Sequence, residues 1–277
     1  MKKIKPLLSL LFALILISII PQTACAKTLS TDAYSWSRAT NKNHKTPAIP
    51  KQTNAWLKEY NGYYVYNTKE KVIYLTFDMG YENGYTSKIL DVLKKHDAKA
   101  TFFVCKAFID SNPKGIKRMV KEGHVVANHT VNHIPFYKLT ESKLKTDLKG
   151  VEDAYEKVTG EKMLKLVRPP EGGFSEKSLF LSQKLGYTSI FWSIALANDW
   201  NLKKQPSKEQ TLSLFKTQYH NGAIVLLHGI SPAVANNLDE MLKQLEDVGY
   251  EFRLITDIIN DNTIQKKNVS YSVSLFE

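Results

Sequence analysis

Apolar positions along this chain change their rhythm near residue 71. Beyond that point, short runs of β-branched and aromatic residues alternate with longer stretches whose apolar residues recur at helical spacing. The short runs predict strands over 72–77, 100–104, 124–127, 164–167, 188–192, 223–227 and 251–255. The longer ones predict helices over 86–96, 113–122, 141–158, 176–185, 208–219 and 232–248. Local signals agree with these ends. Ser207 and Gln210 have capping-box spacing, Ser231 stands before Pro232 at a first helical position, and Gly123, Gly160, Gly186 and Gly249 follow helix ends. Seven strands alternating with helices imply a parallel sheet with right-handed crossovers, either open or closed into a barrel.

The chain before residue 71 reads differently. Residues 27–70 are polar, carry Pro47 and Pro50, and hold Trp36, Trp56, Tyr60, Tyr63, Tyr64 and Tyr66, the composition of a linker followed by a small packing segment. Residues 1–26 carry Lys2, Lys3 and Lys5 ahead of an apolar run over 7–20, and Ala24-Cys25-Ala26 offers a small-x-small cleavage site. This predicts a secretory signal and a protein working outside the membrane, in the wall or at the membrane–wall interface. An uncleaved anchor is the alternative, disfavoured because the run falls short of the ~20 residues that span a bilayer. Lipoprotein processing at Cys25 ranks lower still, since Gln22 sits where an apolar residue is expected. After cleavage Cys105 is the one remaining thiol, so an internal disulfide is ruled out, and its apolar context ATFFVC marks it as a buried structural group. Residues 256–277 are expected to form a C-terminal helix and tail.

Charge narrows the partners. The net charge is +11, or +8 without the three lysines of the first segment. An exported basic protein suits anionic wall polymers or lipid head groups. Nucleic acid is not expected, because the lysines are scattered rather than gathered into an arm, and no stable protein partner is predicted.

Chemically capable residues fall where the predicted strands end. Asp78 follows the first strand, His129 and His133 the third, Arg168 the fourth, Asp199 the fifth and His228 the sixth. In parallel α/β folds the C-terminal strand ends share one face, where binding and catalysis occur. His129 and His133 have the i, i+4 spacing that sets two imidazoles on one helical face, able to share a metal ion, with Asn128 placed to cap the turn. Chance alone supplies roughly 0.2 such pairs in a chain with seven histidines, so the strand-end position carries the argument; two surface histidines are the plain alternative. A carboxylate ending the apolar run VIYLTFD is costly to bury without a role, although Asp78 could also cap a turn. His228 ends AIVLLH, where a core histidine or a proton donor both fit. Arg168 precedes two prolines that hold the chain extended and aim the guanidinium off the strand. Asp199-Trp200 joins a carboxylate to a flat ring, with a helix cap and a packed indole as the plain alternative. Glu171 could also be catalytic, but in the Gly-rich turn EGG a solvated acid is the simpler reading.

In order, these motifs resemble those of the polysaccharide deacetylases of carbohydrate esterase family 4, the NodB-homology domain. TFDMG resembles the family's TFDDG, HTVNH its H-(S/T)-x-x-H, RPPEG its R-x-P-x-G, Asp199-Trp200 the end of its D-x-x-D-W, and VLLH its L-x-L-H, over roughly residues 71 to 255. TFDMGYENGYT and RPPEGGFSE are most similar to the muramic-acid deacetylases that form muramic δ-lactam in spore cortex. The resemblance implies a distorted (β/α)7 barrel with an N-terminal extension, and hydrolysis of N-acetyl groups from peptidoglycan glycan strands. It implies Asp78 as general base, Arg168 as its orienting partner, His228 as general acid and Asp199 as the group that tunes it. His129 and His133 would bind a divalent ion, zinc ahead of magnesium, manganese, cobalt or calcium. Trp200 and Leu226 would line the acetyl pocket, with Phe174 and Tyr81 as further substrate contacts. Met79 departs from the pattern, standing where most relatives carry a second, metal-binding aspartate; a thioether suits a hard cation poorly. A wall-binding protein without catalysis and an amidase that cuts peptide from glycan are the rival expectations.

Overall fold

In the computed structural model, which describes residues 27–36 and 43–260, the chain folds as β1 (Tyr34–Ser35), α1 (Lys51–Glu59), β2 (Gly62–Tyr63), β3 (Val72–Met79), α2 (Thr86–Lys95), β4 (Ala100–Val104), α3 (Lys106–Ser111), α4 (Pro113–Lys121), β5 (Val125–Asn128), α5 (Glu141–Thr159), β6 (Leu166–Val167), β7 (Gly173–Phe174), α6 (Glu176–Lys184), β8 (Thr188–Ile190), β9 (Ile194–Ala195), α7 (Lys208–Gln218), β10 (Ala223–His228), α8 (Pro232–Glu246) and β11 (Glu251–Phe252). The predicted signal, residues 1–26, and the tail beyond 260 lie outside the described residues. Residues 255–260 are helical, so the strand expected over 251–255 stops at Phe252 and Ile255 already belongs to the helix.

The expected helix starts carry their caps. Ser207 and Gln210 form a reciprocal capping box, Ser231 accepts from the N–H of Val234, and Gly123, Gly160, Gly186 and Gly249 all adopt the left-handed backbone that ends a helix. Two helices were not anticipated. α1 lies in the segment read as linker and packing, and α3 is a six-residue turn directly after β4.

The sheet runs β2-β8-β6-β5-β4-β3-β10-β9, with β11 paired to the start of β3. Its main strands are parallel, and the sheet curls into the expected distorted barrel. The stretch 188–195 links its two sides, pairing with β6 through β8 and with β10 through β9. Strand alternation then separates two apolar layers. Ile73, Leu75, Phe77 and Met79 of β3, with Ala223, Val225 and Leu227 of β10, pack outward against α2, α4 and α8. Val72 and Tyr74, with Phe103 and with Ile224 and Leu226 of β10, face inward and join Trp36, Trp56 and Phe191. Asp78 continues the inward set of β3 and His228 that of β10. The two are register partners, so parallel pairing alone sets the carboxylate beside the imidazole at the C-terminal rim.

Candidate active site

Asp78 is held from below by a buried cation. Arg168 leaves β6 with its guanidinium fully buried; its Nη1 donates to Asp78 Oδ1 at 2.8 Å, and Nε and Nη2 donate to the carbonyls of Ile190 and Phe191 at 3.2 and 3.4 Å. Its Cζ lies 4.3 Å from the centre of the Phe103 ring, a cation–π contact between two buried side chains. Each of the three guanidinium nitrogens thus donates one bond, and the carboxylate is fixed. Burial pushes the Asp78 carboxyl up, but the charges of Arg168, His129 and His228 together outweigh it and hold it below the usual carboxylate range. At neutral pH it is an anion ready to accept a proton.

The histidine pair comes from a loop rather than from a helix. Residues 129–133 have no helical turn, and Thr130 and His133 take positive φ of 71° and 52°. Asn128 Oδ1 accepts from the Thr130 N–H, Thr130 Oγ1 accepts from the His133 N–H, and Asp147 Oδ1 accepts from both the backbone and the carboxamide of Asn132. Such side-chain bonds offer the backbone an alternative to the helix. The i, i+4 spacing still brings the rings together, with centroids 4.9 Å apart. Asn128 does cap this turn, as anticipated.

His129 is fixed as one tautomer. Its Nδ1–H donates to the Arg168 carbonyl at 2.9 Å, which leaves the lone pair on Nε2, 3.5 Å from Asp78 Oδ2. Burial, the largest influence, pulls its pKa down to about 4, so the ring stays neutral near pH 7. A carboxylate oxygen facing an imidazole lone pair is an arrangement that a cation relieves. Neutral imidazoles are good ligands for a divalent ion, and on these grounds His129 and His133 fit the expected metal. Among the described residues no group of three or more His, Cys, Asp and Glu side chains has metal-binding geometry. Met79 does not supply a third donor: it is buried in the outward apolar layer, its thioether over Gly229.

Across the rim, Asp199 is fully buried and takes two bonds from His228, from the backbone N–H and from Nδ1–H, each at 2.8 Å. Nε2 is left to carry a proton toward the pocket. Burial works to lower the His228 pKa, yet the charge and hydrogen bond of Asp199 and the nearby charge of Asp78 outweigh it, and the net shift is upward. An anionic acceptor beside an imidazole biased toward its protonated form is a base and acid pair.

These groups border a cavity of about 810 Å³. Tyr81, Trp200 and Leu226 line it as expected, Tyr81 and Trp200 with exposed rings and Leu226 with a buried side chain. Phe174 does not, which corrects the expectation: β7 turns it into the aromatic core, where it stacks on Tyr34 and meets Phe191 edge-on, 2% exposed. Glu171 is exposed, as the solvated reading has it, and it also lines the cavity, from a left-handed backbone position, φ 56°. Trp36 and Trp192 also border it and were not singled out as site residues; the aromatic content of residues 27–70 was the only sequence signal for Trp36, and the strand-end position of Trp192 the only one for Trp192. Cys105 is structural. Its Sγ–H donates to the His129 carbonyl, and burial pushes the thiol up to about 12, far from nucleophilic range.

Comparison with known proteins places this geometry. A sequence model of the polysaccharide deacetylase family matches residues 65–190. The peptidoglycan-N-acetylmuramic acid deacetylase PdaA of Bacillus subtilis is 41% identical over 236 residues, covering 85% of this chain and 89% of that protein. The chain belongs to the polysaccharide deacetylase family. An uncharacterised protein of Geobacillus stearothermophilus is 43% identical over 86% of this chain and 89% of its own length. The solved structure of B. subtilis PdaA, a family 4 carbohydrate esterase, superposes with a TM-score of 0.81 at 40% identity, over 84% of this chain and all of that one. A family 4 carbohydrate esterase from Bacillus anthracis follows at 0.71 and 37%, over 84% and 99%.

Proposed function

We propose that this polysaccharide deacetylase removes the N-acetyl group from peptidoglycan glycan, with N-acetylmuramic acid as the preferred residue and muramic δ-lactam of spore cortex as the downstream product. The observation that carries the reading is the facing pair at the rim: Asp78 fixed on the buried Arg168, and His228 fixed on the buried Asp199. The likeness to PdaA, named for action on N-acetylmuramic acid, supports that choice of sugar. Export by the N-terminal signal would put the enzyme where this substrate is.

The acetamide lies in the cavity with its methyl against Leu226 and Trp200. Asp78 takes a proton from water as the oxygen attacks the carbonyl carbon, and Arg168 keeps the carboxylate in place as its charge falls. His228 gives its Nε2 proton to the departing nitrogen, so that the C–N bond breaks to release a neutral amine and acetate. Without that proton the leaving group would be an amide anion, too basic to depart. His129 and His133 would hold a divalent ion, zinc first and magnesium, manganese, cobalt or calcium as alternatives; when bound, it polarises a carbonyl and acidifies water. Two firm protein ligands imply easy loss of that ion.

The test is incubation of the purified protein with intact peptidoglycan, peptide-stripped glycan and N-acetylglucosamine oligomers, followed by mass analysis. Loss of acetyl, fastest from the stripped glycan, is expected; chelation abolishes it and zinc restores it. Release of peptide would identify an amidase, and no mass change a glycan-binding protein. Equal turnover of the glucosamine oligomers would remove the muramic assignment.

A further inference from the structure

The segment before the deacetylase domain is built into the active site. β1 pairs antiparallel with β7, matching Tyr34 to Phe174 and Ser35 to Gly173, and the Trp36 N–H donates to the Gly172 carbonyl at 2.8 Å. The contact is close enough to require glycine. A Cβ on Gly172 would fall 2.6 Å from Trp36 Cβ and 2.9 Å from Trp192 Cη2. Tyr34 lies between the rings of Trp56 and Phe174, at 5.2 and 5.7 Å. Farther back, the buried carboxylate of Glu176 accepts from the Ser30 N–H, the Tyr60 hydroxyl and Lys27 Nζ, while the Lys177 N–H donates to the Ser30 carbonyl. The string RPPEGGFSE is therefore a track: Arg168 serves Asp78, and Gly172, Gly173, Phe174 and Glu176 dock residues 27–36.

The track delivers Trp36 to the cavity. Its Nε1–H is spent on the Trp192 carbonyl at 2.9 Å and its ring lies 4.7 Å from that of Phe191. The residue is 7% exposed, so what it offers the cavity is a narrow apolar strip, beside Trp192, Glu171 and Gly172. An apolar aromatic edge beside the Glu171 carboxylate suits a pyranose, which has a C–H face and a rim of hydroxyls.

We propose that residues 27–36 are a strap that completes the substrate site, and that Trp36 is a specificity-determining residue in contact with the glycan. This rests on the deacetylase reading and adds a substrate contact from outside the matched domain. The experiment compares the mature chain with Trp36→Ala, Trp36→Phe and Glu176→Gln, the last leaving Trp36 in place while loosening the strap. KM and kcat are measured on N-acetylated glycan oligomers, and binding of the same oligomers by calorimetry. Trp36→Ala is expected to raise KM about fivefold or more with kcat largely kept, the scale on which interface tryptophans act. Trp36→Phe recovers most of that loss, and Glu176→Gln moves KM in the same direction by less. A fall in kcat at unchanged KM, or wild-type KM and binding in both Trp36→Ala and Glu176→Gln, overturns the proposal. If the wild-type chain binds oligomers without deacetylating them, the proposed function fails, and the calorimetric comparison still decides the strap.

Discussion

Asp78 and His228 are neighbours in register, yet they ask for different experiments. Asp78→Asn removes the proposed base and also the counter-charge of a fully buried guanidinium, and breaking a buried pair costs roughly 3–5 kcal/mol. Its loss of turnover must be read well below its lowered melting temperature. The side chain of His228 is 22% exposed, so His228→Ala disturbs packing less; turnover is expected to fall by ~10² to 10⁴ with the fold retained. Asp199 gives a sharper handle. As general acid, His228 works only below its raised pKa, so turnover declines as pH rises through that value. Asp199→Asn removes the charge that lifts the imidazole, leaves burial to lower it, and moves this alkaline decline to lower pH. An alkaline limb of kcat that stays in place in Asp199→Asn would sink the assignment of His228 as the acid.

Elements were legible wherever periodicity and caps agreed. The six anticipated helices are present, and each of the seven anticipated strands is found at least in part, two of them only as the pairs Leu166–Val167 and Glu251–Phe252. The loop carrying His129 and His133 was misread as a helical face, since its conformation depends on Asp147, a residue of another element that no local pattern names. His124 shows the same dependence and gives a stability prediction. It stands just before β5 and its Nδ1 accepts from the N–H of Ala100, tying that strand's start to β4. Burial lowers its pKa from 6.5 to about 4. Between those values the unfolded chain takes up a proton that the folded chain refuses, so stability present above pH 6.5 is lost as pH falls toward 4, by up to about 3 kcal/mol. Urea unfolding at pH 7 and pH 4.5 tests this. Wild type should lose more stability between the two than His124→Asn, whereas equal losses would exclude His124 as a source; the like depression at His129 is common to both chains.

At the scale of the molecule, alternating strands and helices made the curled parallel sheet readable, and strand ends made its chemical face readable. The role of residues 27–36 was hidden, because their partners lie far along the chain in RPPEGGFSE and a string of polar residues with one tryptophan carries no period. Charge is likewise a property of the whole. The chain is strongly basic, but among the described residues no lysine or arginine lines the cavity, whose wall carries Asp78 and Glu171. Attraction to an anionic wall polymer must therefore come from the outer surface, acting over a Debye length of about 8–10 Å at physiological salt. The short-range bonds at Asp78 and His228 are buried and little screened. Added salt should then lower kcat/KM on long, anionic glycan strands by slowing encounter, and leave kcat unchanged. On short neutral oligomers, which fill the cavity but span little of the surface, kcat/KM should hardly respond. Steady-state rates on both substrates from low to high ionic strength decide the matter. A parallel fall on both would place the sensitive charges in the catalytic cavity, and the outer basic surface would lose its proposed role in substrate capture.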